Sequence, residues 1–242
     1  AVVYAKLSAL TQESRFNLGT IDGSNGFRLN GVTAFDYAGS SVSFAGDING
    51  DGFSDFVIGA YHADAGRRSS GVAYVVFGQA SGLASSFDLS SLDGKNGFRL
   101  DGAAADDFAS LSVSSAGDIN GDGFDDIFVG ARGADANAYN SGAAYVIFGA
   151  KNWSFSPSYD LSTLNGFNGF RLDGVAVNDF AGLSVSSAGD VNGDGYDEKI
   201  VGSMDDLFEI DTGAAYVIFG AKNWSFSSSY DLSTLNGFNG FR

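Results

Sequence analysis

The stretch Asp47-Ile-Asn49-Gly-Asp51-Gly-Phe53-Ser-Asp55 recurs twice more, with small changes, in this chain of 242 residues. Oxygen-bearing side chains occupy its first, third, fifth and ninth positions, the seventh position can offer its backbone carbonyl, and glycines permit a tight wrap. A hard cation that needs six to eight oxygen ligands can be enclosed in this way. The pattern predicts up to three Ca²⁺ ions, held by Asp47, Asn49, Asp51, Phe53, Asp55; Asp118, Asn120, Asp122, Phe124, Asp126; and Asp190, Asn192, Asp194, Tyr196, Glu198.

The residues after each loop separate this pattern from a helix-loop-helix calcium protein. That class places a glutamate at position 12 and continues into a helix. Here position 12 is Ile58, Val129 or Val201, and short β-branched and aromatic runs that end at glycine follow the first two loops. Such runs predict strands. A dockerin-like calcium module, which needs a helix after each loop, is therefore the less favoured alternative.

The loop belongs to a longer repeat. The segment Asn-Gly-Phe-Arg recurs about every 71 residues, with its phenylalanine at Phe27, Phe98, Phe170 and Phe241. Within one unit four strands are predicted in order, and helical periodicity is absent. In the first whole unit they are residues 40–44, 55–60, 71–78 and 97–101.

The residues resemble the FG-GAP repeats of integrin-α-type, calcium-binding β-propellers, and we expect a bacterial member. The resemblance rests on Phe180-Ala-Gly182 before the first strand, on Ala-Gly-Asp-Ile-Asn-Gly-Asp-Gly-Phe at the loop and on Val-Ile-Gly-Ala60 after it. It implies an all-β fold of four-stranded antiparallel blades, with each calcium loop joining the first two strands. The copies depart from the family pattern at Ser110, which replaces a glycine, and in lacking a proline after Gly-Ala.

About three and a half blades are expected. The segment from Ala1 to Leu7 aligns with the third strand of a unit, so the predicted parts are a half blade at 1–31 and blades at 32–102, 103–174 and 175–242. Propellers close with about four to eight blades. Either further blades belong to a longer chain or several copies associate through the half blade, and the first interpretation is favoured. On either interpretation the isolated chain is expected to self-associate through the half blade's free sheet edge.

The third loop is expected to bind calcium more weakly than the other two. Glu198 replaces the aspartate at position 9, and Lys199 places a positive charge beside it. The alternative for all three loops is that runs of Asp, Asn and Gly are only turn formers.

Composition narrows the class of protein. The formal charge of −16 without a basic patch argues against a nucleic-acid partner, and no stretch approaches the ~20 apolar residues of a membrane span. Calcium sites of this open type fill readily where calcium is near millimolar, so an extracellular or cell-surface location is expected. Cysteine is absent and His62 is the single histidine.

Catalysis finds little support, since no thiol nucleophile and no Gly-x-Ser-x-Gly elbow is present. The function favoured from sequence is a calcium-stabilised repeat protein for adhesion, surface assembly or binding of a protein or glycan partner. The alternative is an accessory propeller region of a secreted hydrolase.

Overall fold

A computed structural model describes residues 17–151, 156–204, 213–222 and 227–242. Within these ranges the chain forms sixteen strands, four short 3₁₀ turns and no α-helix, so the predicted all-β fold is confirmed. The segment from Ala1 to Leu7 lies outside the described residues. None of the described elements is a helix of the length and apolarity that a membrane crossing requires. The strands are β1 (Arg28–Asn30), β2 (Ser41–Gly46), β3 (Asp55–Ala60), β4 (Val72–Val76), β5 (Ser86–Asp88), β6 (Gly97–Asp101), β7 (Ala109–Gly117), β8 (Asp126–Ala131), β9 (Ala143–Ile147), β10 (Ser158–Asp160), β11 (Gly169–Asp173), β12 (Ser184–Gly189), β13 (Glu198–Ser203), β14 (Ala214–Ile218), β15 (Ser229–Asp231) and β16 (Gly240–Phe241).

Each blade is an antiparallel meander whose third strand is the most apolar. In the first whole blade β2 pairs with β3, β3 with β4 and β4 with β6. Every residue of β4 is buried, as is every residue of β9 in the next blade. Continuous apolar runs of this kind suit strands that are covered on both faces. The meanders repeat as β7-β8-β9-β11 and β12-β13-β14-β16, which is the propeller blade architecture.

Three short strands join neighbouring blades and are not evident from the sequence pattern. β5, β10 and β15 each add to the outer strand of the preceding blade in parallel, as in the register of Arg99 with Ser158. Ladder hydrogen bonds such as Arg99 N–H to the Pro157 carbonyl, at 2.9 Å, secure the pairing. The outer edge of one blade is therefore completed by a segment of the next, which protects an otherwise open sheet edge.

The cores lie between blades. One cluster of buried side chains joins Val57, Val75 and Phe98 of the first whole blade to Ile127 and Tyr145 of the second. A second, equivalent cluster joins the second and third blades. Backbone approach is close at these joints, since a Cβ on Gly130 would lie 1.9 Å from the Gly182 carbonyl oxygen. Burial between neighbours makes each blade depend on the next one for its core.

Ser110 keeps the backbone conformation of the glycine that it replaces. Its φ is +70°, in the left-handed region that disfavours side chains, and the equivalent Gly182 has a φ of +84°. The buried Ser110 hydroxyl donates to the Val72 carbonyl at 2.7 Å and accepts from Ala60 N–H at 3.1 Å. The hydroxyl thus ties the second blade to two strands of the first, which offsets the backbone strain.

Candidate metal centre

The three acidic loops connect the first two strands of each blade and lie at the same end of the sheets. They join β2 to β3, β7 to β8 and β12 to β13. Strands, and no helix, follow each loop, which excludes the helix-loop-helix and dockerin-like alternatives. Equivalent strand order in every blade places the loops side by side around one face.

Side-chain oxygens fold each loop around its own backbone. In the first loop the Asp47 carboxylate accepts from Asp51 N–H at 3.0 Å and from Gly52 N–H at 2.9 Å. Asn49 Oδ1 accepts from Asp51 N–H at 2.9 Å, and the Asp51 carboxylate accepts from Phe53 N–H at 2.8 Å. The second and third loops repeat this network with Asp118, Asn120, Asp122 and Phe124 and with Asp190, Asn192, Asp194 and Tyr196.

The ninth residue of each loop is buried. Asp55 accepts from Ile48 N–H at 3.0 Å and from Gly78 N–H at 2.9 Å, and it is fully enclosed. Burial raises the pKa of Asp55 to about 7, with Asp51 and Asp47 adding to the increase. Burial also raises the pKa of Asp126 well above its usual range. A carboxylate held this far from water, among other carboxylates, favours a nearby cation.

The third loop brings its carboxylates closest together. Ligand atoms of Asp190, Asp194 and Glu198 lie within 4.8 Å of one another, and no other such group of three occurs among the residues that the structure describes. Glu198 accepts from Val191 N–H at 2.5 Å and from the Asn192 side-chain amide at 3.2 Å. Glu198 thus keeps the hydrogen bond to the second residue of its loop, and its other oxygen accepts from Asn192, whereas Asp55 and Asp126 use theirs for Gly78 and Gly149. The weaker binding expected of this loop stays a prediction.

Lys199 is buried beside this group. Its ammonium donates to the Glu198 carbonyl at 3.0 Å, and its side chain has no solvent exposure. Burial lowers the pKa of Lys199 to about 8, against the opposing effect of Asp197, Asp126, Glu198 and Asp118. The equivalent residue in the second blade is Ile127, so a charge occupies an apolar core position.

The donor set fits a calcium-type ion. Each loop offers carboxylate and amide oxygens without nitrogen or sulfur ligands, which is the chemistry of a hard cation. The nine carboxylates at the predicted ligand positions of the three loops repel one another unless a cation is present. Sequence reasoning assigned no role to position 8, occupied by Ser54, Asp125 and Asp197, because that position is not part of the ligand pattern.

The opposite end of the blades carries a different surface. His62, whose ring nitrogen lies 3.2 Å from the Ser69 hydroxyl, packs against the Tyr61 and Phe108 rings. The Arg132 guanidinium lies 5.1 Å from the centre of the Phe108 ring. These contacts place His62 in a small aromatic cluster.

A cleft of about 310 Å³ opens at the same end, in the second blade. It is lined by Asp107, Tyr145, Ser162 and Arg171, among others. Burial raises the pKa of Asp107 to about 6, and Asp107 accepts from Ala104 N–H at 2.9 Å.

Comparison with known protein families agrees with this architecture. The family model for the FG-GAP repeat matches residues 38–76 and 111–147, which span the acidic loops and the strands around them in two blades. The fold and the matched repeats together define a β-propeller of the integrin-α type.

Individual relatives extend the match over most of the chain. Integrin alpha-3 of Mus musculus is 31% identical over 179 residues, which cover 74% of this chain and 15% of that protein. Integrin alpha-6 of Gallus gallus is 31% identical over 68% of this chain and 13% of its own length. Phosphatidylinositol-glycan-specific phospholipase D of Dictyostelium discoideum is 26% identical over 75% of this chain and 19% of its own. The chain therefore belongs to the FG-GAP repeat proteins, and it spans less than a fifth of these relatives.

Proposed function

We propose that the chain is a calcium-stabilised, extracellular β-propeller region that serves adhesion, surface assembly or protein binding. The observation that carries the proposal is the threefold loop with its buried ninth carboxylate, exemplified by Asp55 and Asp126. In this function calcium is structural: it neutralises carboxylates and holds the first two strands of each blade together. The likeness to integrin alpha chains supports a binding role over a catalytic one.

Binding is assigned to the end of the blades opposite the metal loops. Loops at that end vary between blades and expose large apolar side chains such as Phe35, Tyr37 and Tyr139. Exposed aromatic residues at loops are common in protein-binding surfaces. The partner is a protein or glycan at a cell surface.

Melting curves in EDTA and in millimolar calcium test the structural role. Calcium should raise the melting temperature, because it binds the folded loops and has few preorganised ligands in the unfolded chain. Equal curves would exclude a metal-stabilised propeller. Magnesium at the same concentration is the matched control, since it demands a smaller and more regular ligand shell.

A second candidate function is an accessory region of a secreted hydrolase. The likeness to a phospholipase D favours it, because that similarity covers 75% of this chain. The same propeller would then position a catalytic domain encoded elsewhere in the gene. The full-length gene distinguishes the two: a hydrolase domain in the same reading frame supports the second function, and further repeats or an anchor support the first.

A further inference from the structure

Direct contacts join the metal loops of neighbouring blades. The residue at position 8 of the later loop makes these contacts, and the contact region is called the joint below. The Asp125 carboxylate of the second loop accepts a hydrogen bond from Asp47 N–H of the first at 2.8 Å. Asp125 N–H in turn donates to the Asp47 carbonyl at 3.4 Å. Asp47 is the first ligand of one loop, and Asp125 lies between the seventh and ninth ligands of the next. One residue therefore connects two sets of metal ligands.

The backbone is shaped to admit this contact. Gly46, with a φ of +80°, immediately precedes Asp47, and a Cβ at this position would lie 2.2 Å from Asp125 Oδ2. Gly50, at position 4, faces the Phe124 ring, and a Cβ there would lie 2.4 Å from the nearest ring carbon. Only glycine fits at both positions, so the carboxylate and the ring of the second loop fill space that the first loop leaves open.

The close packing of this joint recurs between the second and third loops. A Cβ on Gly117, which precedes Asp118, would lie 1.8 Å from Asp197 Oδ2, and a Cβ on Gly121 would lie 2.4 Å from the Tyr196 ring. A backbone hydrogen bond accompanies each joint: Ala150 N–H to the Ile48 carbonyl at 2.9 Å, and Ala221 N–H to the Ile119 carbonyl at 3.2 Å. The close packing and the backbone hydrogen bond therefore occur at both joints.

We propose that Asp125 and Asp197 are positioning residues that couple calcium binding in each loop to calcium binding in the next. The coupling rests on the proposed calcium function. Calcium in the second loop orders Phe124 and Asp126, which fixes the intervening Asp125, and Asp125 then holds Asp47 ready for the first ion. Because coupling between sites is reciprocal, calcium in the first loop strengthens binding in the second by the same factor. The Asp125 carboxylate also places a negative charge at the joint, which reduces repulsion between the ions.

Loop-resolved calcium titration of the full 242-residue chain tests the coupling. The position-6 amides of Gly52, Gly123 and Gly195 each donate to the first carboxylate of their own loop, so their NMR resonances report the three loops separately. Asp125→Ala should weaken calcium binding in the first loop by about fivefold or more. Asp125→Asn, which keeps an oxygen acceptor for Asp47 N–H, should restore most of that affinity. Ser54→Ala, at position 8 of the first loop, is the matched control and should change none of the three affinities.

A double-mutant cycle separates coupling from local damage. Asp122→Ala removes a ligand of the second loop and should weaken the first loop when Asp125 is present. In the Asp125→Ala background the same change should leave the first loop unaffected. Independent effects of the two substitutions, or an unchanged first loop in Asp125→Ala, would overturn the coupling while leaving the calcium function intact. A wild-type chain in which no loop glycine responds to calcium would overturn both.

Discussion

Asp126 Oδ2 accepts a hydrogen bond from Ile119 N–H at 2.9 Å, so the ninth residue of the second loop anchors the second residue of the same loop. Its other oxygen accepts from Gly149 N–H at 2.8 Å, at the end of the third strand. One buried carboxylate thus joins the loop to the sheet behind it. The same pair of contacts surrounds Asp55 in the first whole blade.

Asp126→Asn should remove one bound calcium and lower the melting temperature in calcium. The loss in unfolding free energy should approach about 3 kcal/mol when calcium exceeds its dissociation constant about a hundredfold. In EDTA the variant should lose much less stability than in calcium, because the removal of a buried carboxylate with a raised pKa offsets the loss of one of its two backbone hydrogen bonds. The number of bound calcium ions, together with melting curves in calcium and in EDTA, tests this prediction. Asp135→Asn, an exposed carboxylate outside the loops, is the control, and a large loss of stability in EDTA would contradict the prediction.

Lys199→Ile should stabilise the protein, because the equivalent Ile127 occupies the same strand position without a charge to desolvate. The lowered pKa of Lys199 means that the folded chain binds fewer protons than the unfolded chain between about pH 8 and 10.5. Wild-type stability should therefore rise with pH across that window, by up to about 3 kcal/mol, and the variant should lack this rise. Urea unfolding in EDTA at about pH 7 and about pH 10 measures both effects. The exposed Lys95, changed to methionine, is the control, and equal pH slopes in wild type and Lys199→Ile would refute the prediction.

Gly182→Ala should destabilise the chain far more than Gly39→Ala. The two residues are equivalent in the repeat and have φ values of +84° and +89°. A Cβ on Gly182 would lie 2.1 Å from the Ala143 carbonyl oxygen, whereas a Cβ on Gly39 meets nothing within 4 Å. Backbone strain alone costs about 1 to 2 kcal/mol, and Gly39→Ala measures that cost. The additional loss in unfolding free energy at Gly182 then measures the steric clash with the neighbouring blade. Equal unfolding free energies for the two variants would show that the blades do not meet closely here.

Ser110→Ala should be more harmful than Ser110→Gly. Both changes remove the hydrogen bonds to Val72 and Ala60, at about 1 kcal/mol each. Glycine also relieves the left-handed strain at φ +70°, which alanine keeps. Chemical unfolding should rank wild type first, then glycine, then alanine, with about 1 kcal/mol between the two variants. The reverse order for the variants would mean that the strain at Ser110 is negligible.

The wrap of the acidic loops and the four strands of each blade could be predicted because local chemistry determines them. Ligand types at fixed spacing dictate how a loop such as 47–55 wraps, and alternating or continuous apolar runs dictate strands. The strands β5, β10 and β15 could not be predicted, because three residues carry no period and their partners lie in another blade. The contact of Asp125 with Asp47 was missed for the same reason. Its partner Asp47 is distant in sequence, so the spacing within one repeat says nothing about the contact.

Lys199 shows a further limit of sequence-based prediction. The sequence shows a lysine beside an acidic loop and says nothing of its burial, and the structure places it in the core between two blades. The surrounding strand register determines which face a side chain occupies, and register is set by packing against the neighbouring blade. The charge is tolerated because carboxylates on both sides of the joint face it.

The addition of a short strand from each blade to the outer strand of the preceding blade has a consequence for biosynthesis. During synthesis from the N-terminus, β6 is complete before its outer neighbour β10 has been made. Arg99 can pair with Ser158 only after more than half a further repeat has been synthesised. Until then the nascent chain presents an open strand edge of the kind that invites pairing with other chains. Emergence of each new repeat closes the edge left by its predecessor. The open strand edges are thus covered one after another during synthesis. A ribosomal pause between repeats would prolong the exposure of the last edge and favour misassembly.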